Sequence, residues 1–135
     1  MIGVLFIVLV ILTACSGGHP YQQAPFDGRK VVIETGGLKD GIPVFYTFEG
    51  INFFIIKTGD KVRAYLDACQ ECYIHRRGFR YEEGALICNY CNIRHPVGTL
   101  DRGQGRCHPI RLKGRLKGHL YEIDKDQLLE RQGYF

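Results

Sequence analysis

A chain of 135 residues has room for one domain. Its net charge of +4 is mild, and it lacks a basic groove interleaved with aromatics, so nucleic acid is excluded as an expected partner. Six cysteines and 17 glycines are many for this length, and point to thiol chemistry carried on tight turns.

Met1 to Ala14 carry no charge, and Val4 to Leu12 is an unbroken aliphatic and aromatic run. That run is too short to span a bilayer as a mature helix. Small residues follow, Thr13-Ala14, and then Cys15. The pattern resembles a bacterial lipoprotein signal, with Cys15 as the lipidated first residue of the mature chain; an ordinary signal peptide is the other reading. Ser16 to Asp27 (SGGHPYQQAPFD) reads as a flexible tether. The expected organisation is a signal over residues 1–14, a lipidated cysteine and tether over 15–29, and one cysteine-rich metal-binding domain over 30–135. The domain is then extracytoplasmic, held at the bacterial membrane or envelope by its lipid.

Beyond the tether, strands are predicted in order. Lys30 to Glu34 is a β-branched run closed by Gly36-Gly37, and Val44 to Phe48 is a second apolar run. Glu49-Gly50 turns the chain into Asn52 to Ile56, and Thr58-Gly59-Asp60 turns it again. The runs at 44–48 and 52–56 are apolar on both faces and should lie centrally in a sheet. Val62, Ala64 and Leu66 alternate with Arg63, Tyr65 and Asp67, as on a half-buried strand. Ala85 to Ile87 and Leu120 to Ile123 are two further short strands. A helix is predicted only at the end, over Lys125 to Arg131, with Asp124 as its cap and Gln127 in the reciprocal capping position. The fold class expected is mostly β: a small β-sandwich or barrel with metal-binding loops and a short C-terminal helix.

After Cys15 the thiols are Cys69, Cys72, Cys88, Cys91 and Cys107, two C-x2-C pairs fifteen residues apart and, fifteen further on, Cys107-His108-Pro109. A two-residue spacer lets a tight turn aim both sulfurs at one metal, with backbone N–H groups left over to bond them. Two such knuckles supply four thiolates, enough for tetrahedral zinc or an iron–sulfur cluster. Disulfides are the third reading; five thiols cannot all pair within one chain. Spacing alone leaves iron–sulfur and zinc open. Cys107 reads as an added ligand, and as a spare thiol otherwise. Asp67, beside the first pair, is expected to fix its loop by hydrogen bonds. His108 is a candidate neighbour of the centre, while His75 and His95 are expected at the surface. His75-Arg76-Arg77 is either a docking point for an acidic electron donor or a solvated turn. The tandem RLKG-RLKG, Arg111 to Gly118, reads as a charged hairpin with a solvated face. No Ser/His/Asp set or paired carboxylates stand out, so the chain is not expected to be an enzyme.

The blocks Asp67-Ala68-Cys69-Gln70-Glu71-Cys72-Tyr73, Gly78-Phe79, Ile87-Cys88-Asn89-Tyr90-Cys91-Asn92 and Gly105-Arg106-Cys107-His108-Pro109-Ile110 stand in a specific order. Over about Val44 to Leu129 the chain resembles the FtrD-like membrane iron–sulfur family. Arg106 and His108 replace a glycine and an asparagine usual there, and His95-Pro96 stands where an aromatic is usual. The resemblance implies an iron–sulfur cofactor and electron transfer near a membrane, with a redox protein or an iron-uptake permease as partner. A weaker, fold-level likeness is to Rieske proteins, which hold a cluster on two loops of a β-sandwich. Their second ligand of each pair is histidine; here Cys72 and Cys91 stand in those places.

Overall fold

The computed structural model describes residues 21–103 and 105–135. The expected signal, Cys15 and the start of the tether lie outside the described residues. The strands are β1 (Gln22–Gln23), β2 (Lys30–Glu34), β3 (Val44–Phe48), β4 (Ile51–Thr58), β5 (Lys61–Cys69), β6 (Phe79–Glu82), β7 (Ala85–Cys88), β8 (Arg94–Pro96), β9 (Pro109–Leu112), β10 (Arg115–Lys117) and β11 (Leu120–Asp124). One short helix, α1 (Lys125–Leu129), follows. They form a five-stranded sheet in the order β1-β3-β4-β5-β9 and two three-stranded sheets, β10-β11-β2 and β6-β7-β8. The fold is mostly β as expected. None of the three sheets closes into a barrel among the described residues.

The apolar runs explain this layering. On β4, Phe53 and Ile55 enter one core with Tyr46, Leu66, Val31, Ile33, Tyr121 and Ile123, so the large sheet packs there on β10-β11-β2. Phe54 and Ile56 point the other way, into a second core with Phe45 and Tyr65 of the same sheet and Phe79 and Leu86 of β6-β7-β8. A strand covered on both faces has no use for polar alternation. β3 and β4 therefore lie inside the sheet, as their sequences predict. β5 departs from expectation: from Ala64 to Cys69 every residue is buried. Its alternate face, expected to be solvated, is covered by the second core, where Tyr65 stacks on Phe54 at 5.4 Å.

Three other expectations are corrected. The described part of the predicted tether, Tyr21 to Asp27, lies on the sheet: β1 pairs in parallel with β3, and Phe26 packs on Phe48 at 5.1 Å. Its two aromatic rings find apolar partners, which a polar linker composition conceals. The two RLKG repeats do not pair with each other. β9 joins β5 while β10 joins β11, so Leu112 is buried and Leu116 is 43% exposed. At the C-terminus, α1 stops at Leu129, and Asp124 makes no side-chain cap bond. Gln127 instead clamps the backbone of Lys113, accepting from its N–H at 2.5 Å and donating to its carbonyl at 2.6 Å.

Phe54 touches Phe45, Tyr65 and Phe79, the rings that fasten β6-β7-β8 to the large sheet. Phe54→Ala is expected to cost about 3–5 kcal/mol, read as a lower urea midpoint with an unchanged slope.

Candidate metal centre

Three chain segments deliver the thiols to one end of the second core. β5 ends on Cys69, β7 ends on Cys88, and Cys107 stands two residues before β9, where Pro109 pairs with Cys69. Their arrival follows from strand parity. Tyr65 and Cys69 share the face of β5 that meets the second core, and on β7 Leu86 and Cys88 do the same. Phe79 of β6 pairs with Cys88 and so sets β7 in register.

Each loop has a reason for its shape. After Cys69 the chain makes a 3-10 turn, Tyr73–His75, ended by Arg76 in the left-handed region. Gln70 N–H bonds the His108 carbonyl at 3.0 Å, which ties this loop to the Cys107 segment. Asp67 is buried, and its carboxylate accepts from Phe79 N–H at 2.8 Å and from the Tyr21 hydroxyl at 2.5 Å. It fixes the loop, as the sequence predicts. Gly78 at φ +61° runs against that carboxylate, where an added Cβ would lie 2.5 Å from Oδ2. Only glycine fits there. In the second loop Cys88 accepts bonds from the N–H groups of Cys91 and Tyr90, and Cys91 accepts one from Ile93. This is the arrangement expected of a metal knuckle. At the surface the His75 and Tyr90 rings stack 3.5 Å apart and join the two loops.

All five cysteines predicted from the sequence come together, and all are free thiols. Two triads, Cys69-Cys72-Cys88 and Cys88-Cys91-Cys107, each hold their sulfurs within 4.8 Å of one another, with Cys88 common to both. Cys69 Sγ lies 2.8 Å from Cys107 Sγ, and Cys91 Sγ lies 3.5 Å from it. The edge of a tetrahedron built on metal–sulfur bonds of about 2.3 Å is about 3.8 Å. The Cys69–Cys107 pair is closer than that edge, while each triad keeps its three sulfurs within 4.8 Å of one another, and it is the triads that can hold a metal. Beside Cys69, Cys72 and Cys88 is a cavity of about 70 Å3.

Electrostatics point the same way. Burial, then bonds to neighbouring thiols and their charges, pushes Cys72 and Cys107 well above the ordinary thiol range. Burial also raises Cys88, against the pull of its two N–H donors. At Cys91 burial acts upward too, but the Ile93 N–H and the thiols of Cys107, Cys88 and Cys72 outweigh it and bring the group down. Sulfurs this close cannot all ionise without a cation among them.

His108 is in neither triad. Its ring is packed against Gly103. His75 is exposed as expected, but His95 is not: it is 1% exposed, with Nε2 3.3 Å from Cys107 Sγ. The strand that turns it inward, Arg94–Pro96, is three residues long, too short for a periodic pattern to show.

A mostly β domain that gathers five thiols at one end of its core is the frame of a metal–thiolate protein. The family described as membrane iron-sulfur containing protein FtrD-like matches residues 38–135, and the chain belongs to that family. This bears out the resemblance read from the cysteine blocks. Among solved structures, the ferredoxin of carbazole 1,9a-dioxygenase from Nocardioides aromaticivorans IC177 is similar. Identity is 19% over 69% of this chain and 93% of that chain, with a TM-score of 0.47. No curated protein matches. No helix among the described residues is long and apolar enough to cross a membrane.

Because Cys72, Cys88 and Cys107 are held protonated near neutral pH, loading must release protons. Metal affinity is expected to rise with pH, by about tenfold per unit for each thiol proton displaced, and to fall as pH drops. Calorimetric titration with zinc in two buffers of different ionisation enthalpy measures the protons released. Equal heats in both would contradict the raised thiol values.

Proposed function

We propose that this chain is an extracytoplasmic iron–sulfur protein, held at the membrane by a lipid on Cys15, that carries electrons for a redox protein or an iron-uptake permease. The observation that carries this reading is the convergence of five thiols in a chain of an iron–sulfur family. Cys69, Cys72, Cys88 and Cys91 are the proposed ligands, and Cys107 is the additional donor. When bound, the cluster supplies a reversible one-electron couple.

The chain's own residues do the rest. Phe54, Phe79 and Leu86 close the inner side of the site to water. The N–H groups of Tyr90, Cys91 and Ile93 stabilise negative sulfur and raise the potential relative to a bare thiolate site. Cys72 and Cys91 are only partly buried, so the outer edge of the site is close to solvent. Around that edge Ile74 is 65% and Tyr90 51% exposed, with exposed Arg76 and Arg77 beside them. An apolar centre with a basic rim suits a partner that presents acidic groups. Membership of an iron–sulfur family is what favours a cluster over zinc.

Protein purified anaerobically is expected to contain iron and acid-labile sulfide in stoichiometric amounts, with visible absorption that Cys88→Ser abolishes. One zinc per chain with no colour and no sulfide, in protein taken from its native membrane as well, would leave a zinc-stabilised domain with no redox role. Exchanging Arg76 and Arg77 together for glutamate is expected to slow oxidation of the reduced protein by hexacyanoferrate(III) about tenfold at low ionic strength. The difference should close in high salt. An unchanged rate in stopped-flow would place electron exit elsewhere.

A further inference from the structure

His95 sits in the middle strand position of β8, opposite Leu86. Its ring meets Phe79 edge to face at 5.9 Å and is shut off from solvent. Nε2 lies 3.3 Å from Cys107 Sγ, and Nδ1 is buried with no hydrogen-bond partner. These two atoms determine the tautomer. A neutral imidazole carries one N–H. Placed on Nδ1, that N–H would be a buried donor with nothing to accept it. On Nε2 it meets sulfur, and the orphan is a lone pair, which buried sites tolerate better than an unmet donor.

Cys107 has two sulfurs close to it, Cys69 at 2.8 Å and Cys91 at 3.5 Å. Once metal-bound it is a thiolate and only accepts. His95 is absent from both groups of mutually close donors. Its nitrogen is thus within bonding distance of one sulfur and outside both groups, so that it acts on the ligand and not on the metal. We infer that His95 is a positioning residue of the metal centre: its Nε2–H donates to Cys107 Sγ and holds that thiolate between Cys69 and Cys91. The inference rests on reading the five thiols as a metal site.

The test loads the metal-free full chain with cobalt(II) and measures affinity by chelator competition together with the cobalt–thiolate spectrum. His95→Phe keeps the apolar bulk and removes the donor; it is expected to weaken cobalt binding about 10–100-fold. His95→Gln offers an amide N–H and should recover most of that loss. Both should keep the wild-type d–d band pattern, since no ligand has changed. In a Cys107→Ala background the His95→Phe penalty should shrink, because the acceptor is gone. Equal affinity of His95→Phe and wild type would overturn the inference, as would equal losses in the Phe and Gln variants, which would mean packing alone. A changed band pattern in His95→Phe would make His95 a ligand and overturn the positioning role. Absence of any cobalt–thiolate band in the wild type would instead overturn the metal reading on which this inference rests.

Discussion

Five sulfurs packed within a few ångströms, on the apolar side of a sheet, define the problem that this fold must solve. As thiolates they repel one another; as thiols they are weak hydrogen-bonding groups packed at high density. Neither state is comfortable without a cation, and burial makes the charged state worse. Cys88 carries the constraint most plainly, being shared by both sulfur triads. Much around it serves to hold the sulfurs together. The Gln70 bond ties one loop to the Cys107 segment, and the His75–Tyr90 stack ties the loops at the surface. Asp67 anchors the first loop to Phe79, beside the strand pairing that sets Cys88.

The large sheet divides its labour by face. One face, with Phe53, Ile55, Ala64 and Leu66, packs on the β10-β11-β2 sheet and makes an ordinary core. The other, with Phe54, Tyr65 and Cys69, packs on β6-β7-β8 and turns into the metal centre at its end. The centre is thus a continuation of a hydrophobic core, and its sulfurs are seated by the same parity that seats the rings. Asp101 strengthens this side. It accepts from the buried Tyr65 hydroxyl at 2.6 Å and pairs with Arg63 at 3.1 Å and Arg111 at 3.2 Å. That pins the turn Val97–Arg102, which leads towards Cys107, against β5 and β9.

Much was legible in the sequence, and for definite reasons. Glu49-Gly50 and Gly59 read correctly as turns, since a left-handed backbone there favours glycine. The long apolar runs read correctly as central strands, since two-sided burial leaves an unbroken hydrophobic pattern. The cysteine spacings singled out the five thiols that the fold brings together, because a C-x2-C knuckle is a local device that works with few distant contacts. Order and spacing of the blocks around them were enough to assign the family.

Tertiary structure decided what depends on contacts between distant segments. β5 looked half-buried because Arg63 and Asp67 are polar, yet Asp67 is buried and takes its bonds from Phe79 and Tyr21, twelve and forty-six residues away. The RLKG repeats looked like a hairpin because they are adjacent and alike; the sheet edges available to β9 and β10 sent them apart. Gln127 looked like a cap and became a clamp on Lys113, fourteen residues off. His95 looked like a surface residue between Arg94 and Pro96, until pairing of β8 with β7 turned it onto Cys107. The sequence by itself determined which groups have the chemistry to hold a metal. Only the tertiary structure decided which neighbours surround them, because those neighbours are set by strand pairing across the chain, and local patterns carry no record of that pairing.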